Sequence, residues 1–228
     1  MARPSLPLIS RTGAARAALE VIDEVGLNDF SLARVADKLK VRPPSLYHHF
    51  QDKSELLQEV ARLLLLNLPG MRARTMPYEE RIVRLCVAAR RSLLRHPNAA
   101  LLMLQFFPRH LLLGAYDEAA ASDPYPPEFH MAVIEGTEKL TFGSALFNAA
   151  AKARGISPMP EVDAELHPML ARAIERNPFD EEELFEETVR IFFTGVAERY
   201  RQGSLGKRVL DSRRLFAPPA TGRGKAES

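Results

Sequence analysis

Between its prolines the chain repeats apolar residues at intervals of three and four, the spacing that gathers them on one face of an α-helix. No stretch alternates apolar and polar residues as a half-buried strand would, so the pattern predicts an all-α protein. Over 10–25, Ala14, Ala17, Ala18, Val21, Ile22 and Val25 share a face while Arg16, Glu20, Asp23 and Glu24 fall elsewhere; Gly26 follows as a C-terminal cap. Ser31 is placed to cap a short helix through Leu39. Lys40–Val41–Arg42 then forms a turn. Pro43 and Pro44 lack an N–H and fit only the start of the next helix, predicted over Ser45–Phe50. Asp52, with Glu55 three residues on, has the capping-box pattern for a helix reaching about Leu66, before Pro69–Gly70.

A second helical unit begins near residue 78. Tyr78–Arg95 turns Ile82, Leu85, Cys86, Ala89, Leu93 and Leu94 inward, and His96–Pro97 breaks it. Asn98–Phe107 reads as a very apolar helix that Pro108 interrupts, and 122–127 as a rigid loop. A long helix is predicted over Glu128–Arg154, a loop over 155–163, a weaker helix over Asp163–Arg176 and a final helix over Asp180–Gln202. The last carries the stripe Leu184, Phe185, Thr188, Val189, Ile191, Phe192, Val196 and Tyr200, with an acidic first turn and Arg199 and Arg201 at its end, matching the helix dipole. The expected organisation is an N-terminal three-helix helix-turn-helix domain at 8–68, a larger helical domain at 77–203, and a Pro/Gly/Ala-rich tail at 217–228 of disordered composition.

Bulk composition changes this picture little: 228 residues, 46% hydrophobic and 26% charged, with a net charge of +2 that does not by itself argue for nucleic acid. The distribution of charge says more. Residues 34–53 hold Arg34, Lys38, Lys40, Arg42 and Lys53 against Asp37 and Asp52, whereas 178–190 hold six carboxylates against Arg190. One end is thus suited to meeting a polyanion. The single cysteine, Cys86, allows no intramolecular disulfide, sits among apolar neighbours as a core thiol, and fits a cytoplasmic location. The N-terminal stretch lacks an apolar core of signal-peptide length, and the strongest apolar run, Leu63–Leu66, is too short to span a bilayer.

In the predicted helix-turn-helix, Val35, Ala36 and Leu39 supply a packing face, and Val41, Leu46, Ile22 and Phe30 close a small core. Ser45, Tyr47, His48 and His49 are left to face groove edges or phosphates. The segment from about 10 to 56 resembles the TetR family of transcriptional regulators. The matching features are Ala14–Ala18, Gly26-x-x-x-Phe30-Ser31, Val35-Ala36-x-x-Leu39-x-Val41 and Ser45-Leu46-Tyr47-x-His49-Phe50-x-x-Lys53-x-x-Leu56-Leu57. The break at His96–Pro97 is also similar to a tetracycline-repressor type of C-terminal domain.

The resemblance implies that Tyr47 and Lys53 contact backbone phosphate and that Pro44, Ser45, His48 and His49 touch bases or the adjacent backbone. Arg42, in the turn, would reach a base or a phosphate, and Arg34 joins the expected DNA-binding set. Two residues depart from the family pattern. Lys40 stands where glycine is common, at a cost if the turn needs φ > 0, and Pro43 removes a polar reader, leaving base readout to Arg42, Ser45 and His48. Arg3 and Arg11 either form a basic arm or lie in a disordered segment.

The resemblance further implies a C-terminal domain that dimerises and holds an effector pocket. The apolar excess on helices 128–154 and 180–202 fits a four-helix bundle between two copies. Polar or aromatic groups embedded in apolar helices nominate the pocket residues: Met103, Phe106, Phe107 and His110 on one side of the middle helix, and His130, Thr137, Glu138 and Phe142 on the long one. Glu138 is suited to a cationic or hydroxylated ligand, though the small-molecule effector as a whole is expected to be apolar or aromatic. No cofactor is expected, and no metal, since no cluster has ligand spacing. No nucleophile elbow, phosphate-cradling glycine loop or HExxH motif supports an enzyme. The function expected is a homodimeric, ligand-responsive repressor of transcription that binds double-stranded operator DNA. The alternative is an effector-independent structural or regulatory DNA-binding protein.

Overall fold

A computed structural model describes residues 9–65, 68, 76–107, 109–157 and 159–206, and these contain helices and no strand. The tail 217–228, the basic Arg3, Pro69–Gly70 and the expected interruption at Pro108 lie outside the described residues. Helix α1 (Arg11–Val25) begins at Ser10, whose hydroxyl accepts from the Gly13 amide at 3.0 Å. It ends at Gly26, where φ is 76° and the amide donates to the Ile22 carbonyl. Helix α2 (Leu32–Lys38) is capped by Ser31, whose hydroxyl accepts from the Arg34 amide. Helix α3 (Lys53–Leu65) starts after Asp52, whose carboxylate accepts from the Glu55 amide at 2.8 Å. The expected capping box is only half formed. Glu55 reaches the amide of Gln51, one residue before the cap, and also receives Arg11 at 2.7 Å. These two donors hold the Glu55 carboxyl below the usual carboxylate range.

The turn before the recognition segment needs the conformation its sequence disfavours. Lys40 has φ 55°, the one non-glycine residue with positive φ among those described, and its neighbour Val41 closes the turn by donating to the Ala36 carbonyl at 2.9 Å. Left-handed backbone at a residue with a Cβ costs about 1–2 kcal/mol. Lys40→Gly is therefore expected to raise stability by about 1 kcal/mol, read as a higher midpoint in urea; an unchanged or lower midpoint would contradict the strain. The predicted helix over Ser45–Phe50 is instead a tight 3-10 turn at Pro43–Ser45 continued by turns to His49. Ser45, Leu46 and Tyr47 donate to the carbonyls three residues back, the tighter winding of a 3-10 turn, and an i−4 bond returns only where the Phe50 amide reaches the Leu46 carbonyl.

From Tyr78 on, helix α4 (Tyr78–Arg95) runs as predicted to the His96–Pro97 break. The apolar segment after it is not one helix. It divides into α5 (Pro97–Ala100) and α6 (Leu102–Gln105), and Phe106 at φ −131°, ψ 38° leaves the helix. Helix α7 (Leu113–Ala121) leads to the loop 122–126 and the long α8 (Pro127–Ala153), which starts on proline because a first-turn proline is pre-organised. Helix α9 is shorter than predicted, Pro168–Glu175: Asp163 turns the preceding chain by accepting from the Glu165 and Leu166 amides. Helix α10 (Glu181–Arg201) opens with a complete capping box between Asp180 and Glu183.

Two cores meet along α4. The first holds Ala14, Ile22, Phe30, Val35, Leu46, Phe50 and Val60 of the N-terminal helices and continues into Ala89, Leu93, Ala99, Leu102 and Ala145. The second packs the front of α4 (Tyr78, Ile82, Val83) on Phe129 and Val133 of α8 and on Phe185, Val189 and Phe193 of α10. Polar contacts bind the same seam: the Ser92 hydroxyl donates to the Leu64 carbonyl at 2.6 Å, His96 meets Asp23 at 2.7 Å and the Asn98 amide donates to the Asp23 carbonyl at 3.0 Å. The acidic start of α10 pairs with arginines of α4. Buried Arg90 donates to Glu181 and to the Ser144 hydroxyl, and Arg91 makes a two-point bond with Glu182. At Gly136 an added Cβ would lie 2.5 Å from Phe192, so α8 and α10 approach closely there.

Candidate nucleic-acid interface and ligand cavity

The recognition turn has a buried underside and an exposed tip. Leu46 and Phe50 are buried, whereas Arg34, Arg42, Pro44, Tyr47 and His48 are exposed and Ser45 and His49 half-buried. Tyr47 is 55% exposed. A large amphipathic ring held in water by a rigid base is available to a phosphate. Lys53 is differently placed. Its ammonium donates to the Phe30 carbonyl at 2.9 Å and lies 5.1 Å from the centre of the Phe30 ring, so part of its charge already serves the fold. Arg11 belongs to neither a free arm nor a disordered segment. It begins α1, its guanidinium lies 4.5 Å from the Phe50 ring centre, and it donates to the His49 carbonyl and to Glu55. It thus braces the recognition turn. The sequence signal for this role was only its place one residue after the cap.

A cavity of about 140 Å³ lies between α4, α7 and α8. Of the eight residues nominated from sequence, Phe107, Thr137, Glu138 and Phe142 line it. The Phe107 and Phe142 rings meet edge to face at 4.7 Å. The other four do not line it. Met103 is buried in the first core and Phe106 packs against that core. His110 is exposed, and the His130 ring contacts the Tyr125 carbonyl at 2.9 Å. For Met103, Phe106 and His110 the cause is the break at Leu101 and Phe106, which scatters side chains that one continuous helix would have aligned; His130 lies on the unbroken α8, in its first turns.

Glu138 is also not a free ligand for a cation. Its carboxylate accepts from the Tyr116 hydroxyl and the Arg109 guanidinium, and Arg109 reaches Glu135 as well. Burial and that carboxylate push the Tyr116 phenol far above its ordinary range. Sequence reasoning missed Tyr116, Cys86 and Thr141 as cavity residues. A signal for Thr141 existed, since it stands one helical turn beyond Thr137 in the same apolar stretch. Cys86 is buried, and burial pushes its thiol up to about 11, which keeps it protonated at neutral pH.

On the far side, Leu184, Ile191 and Tyr200 of α10 and Met131 and Phe147 of α8 are exposed, Phe147 by 80%. Leu184 and Ile191 are seven residues apart and share a helix face. No described helix is long and apolar enough to cross a membrane, and no group of metal-ligating side chains occurs among the described residues.

Residues 15–60 match the family described as bacterial regulatory proteins, tetR family. The chain is similar to the class C tetracycline repressor protein of Escherichia coli, 37% identical over 57 residues, which is 25% of this chain and 26% of that protein. The match therefore spans about a quarter of that relative's length. In fold the chain is similar to a TetR variant from Acinetobacter baumannii solved in complex with minocycline, at TM-score 0.68 and 19% identity over 84% of this chain and 94% of that one. It is also similar to BioQ solved with its double-stranded DNA operator, at TM-score 0.52 and 24% identity over 64% of this chain and 92% of that one. The family match falls on the helices that carry the recognition turn, residues 15–60, and the described helices as a whole have a fold similar to that of solved TetR structures.

Proposed function

We propose that the protein is a homodimeric, sequence-specific repressor of transcription that a small molecule releases from its operator, acting in the cytoplasm and without an enzymatic step. The observation that carries the DNA reading is the recognition turn itself, with Tyr47 and His48 held in solvent above buried Leu46 and Phe50. In this reading residues 8–68 bind DNA through Arg34, Arg42, Pro44, Ser45, Tyr47, His48, His49 and Lys53, and residues 77–203 hold the effector and the dimer contact. The exposed Leu184, Ile191 and Phe147 supply that contact, since two copies sharing this face would bury side chains that one copy leaves in water. A dimer also presents two recognition turns, multiplying the specificity of one short element.

Release has a physical route. Leu65 of α3 and Ala89 of α4 both line the cavity and belong to the core that underlies the recognition turn. A ligand that favours a wider cavity therefore favours a different seat for α3, and the two states of the dimer shift in population. Selecting bound duplexes from a random library, then titrating the protein with a selected and a scrambled duplex at two salt concentrations, tests the proposal. A selected site should bind far more tightly than the scrambled one, with a two-fold repeat. Equal, strongly salt-dependent binding to both would indicate a structural DNA binder instead. Light scattering at micromolar concentration should give a dimer mass, and Ile191→Asp a monomer; a monomeric parent protein would refute the dimer.

A further inference from the structure

Among the described residues, the cavity wall holds one hydroxyl with no oxygen or nitrogen hydrogen-bond partner. Thr137 satisfies its own by donating to the Val133 carbonyl at 2.7 Å, one turn back. Thr141, a turn further along the same face and 3% exposed, does not: its Oγ1 is buried and reaches no carbonyl, only the Cys86 thiol. Its polar neighbour across the cavity wall is the Cys86 thiol, a weak donor and acceptor. The remaining polar groups are engaged: Tyr78 donates to Asp123 at 3.0 Å, and Tyr116 and Arg109 occupy Glu138. The rest of the wall is aliphatic or aromatic, including Ile82, Val133 and Phe142.

We infer that the effector is a neutral, single-ring, mainly apolar molecule whose one hydroxyl or carbonyl group hydrogen-bonds to the Thr141 side chain. This deepens the effector reading above and rests on it for the link to DNA release, though not for binding itself. The cavity of about 140 Å³ sets the size, since an engineered apolar cavity of roughly 150 Å³ takes up benzene. The Thr141 hydroxyl sets the polar contact, because a buried group whose one partner is a weakly bonding thiol gains most from a stronger one. Charge is disfavoured on both signs. An ion would lose its hydration to an apolar wall, a cation would have to displace Arg109 from Glu138, and an anion would meet that carboxylate.

Calorimetry with 4-methylphenol and p-xylene, which differ by a hydroxyl in place of a methyl, tests the contact. The parent protein should prefer 4-methylphenol by roughly three- to tenfold, the net worth of one hydrogen bond. Thr141→Val should abolish that preference while retaining p-xylene, which also shows that the variant is folded. Benzoate and benzylammonium should bind more weakly by about a hundredfold or more. A preference that survives in Thr141→Val, comparable binding of a charged ring, or no binding of either neutral ring would overturn the inference. Protein that binds its selected DNA but ignores 4-methylphenol refutes the ligand class alone. Protein that binds 4-methylphenol but no DNA refutes the repressor reading and leaves this site standing.

Discussion

Leu93→Ala is expected to destabilise the protein by about 3 kcal/mol and to lower its melting temperature by roughly 6–12 °C. Leu93 is fully buried, and it belongs to the core that α1 and α3 share with α4 and α5. Removing its isobutyl group takes apolar surface out of contact on both sides of the seam and leaves a void. The void collapses poorly, because the neighbouring chain is held by the Ser92–Leu64 and Asn98–Asp23 hydrogen bonds. Since the core is continuous, loss of helical signal and loss of DNA binding should occur at the same temperature when both are followed on heating. Leu94→Ala, at a partly buried neighbour, should cost much less. A Leu93→Ala cost below about 1 kcal/mol, or two separate transitions, would mean that the head and body do not share a core.

Tyr47→Ala is expected to do the opposite: little to stability, much to DNA. The ring is mostly in solvent, so the midpoint of unfolding should move by no more than about 0.5 kcal/mol. Affinity for the selected and the scrambled duplex alike should fall about tenfold, the loss of one charge-assisted contact to a phosphate that carries no sequence information. Tyr47→Phe should reproduce most of that loss, since the hydroxyl makes the contact. His48→Ala should instead change the ranking of duplexes, having removed a group placed to reach base edges. Fluorescence anisotropy at fixed salt separates these outcomes; unchanged affinity of Tyr47→Ala for both duplexes would remove the recognition turn from the interface. Lys53→Ala should show a mixed effect, weaker binding together with a small loss of stability, because its ammonium also serves the Phe30 carbonyl.

Where a residue's role is set by its own backbone chemistry, the chain was legible without coordinates. Gly26 caps α1, Ser31 caps α2, Lys40 takes the strained φ, and His96–Pro97 ends α4. The same rule, carried a few residues too far, failed at the recognition segment. Pro43 and Pro44 do start a turn, but the segment winds with bonds to the third residue back and does not become an α-helix. At 98–107 the apolar run predicted one helix, and periodicity could not report the breaks at Leu101 and Phe106, because every face of that segment is apolar. Those breaks turned Met103, Phe106 and His110 away from the cavity.

By itself, then, the sequence determined the helical class, most helix ends, the exposed tip of the recognition turn and the family resemblance, all consequences of neighbours within a few positions along the chain. Tertiary structure decided the rest. It paired Arg90 and Arg91 with the acidic start of α10, turned Arg11 into a brace, occupied Glu138 with Tyr116 and Arg109, and left Thr141 beside a cavity with only the Cys86 thiol to meet. Each of these depends on which side chain from a distant helix arrives within hydrogen-bond reach. That is set by how the helices pack, and no local spacing encodes it.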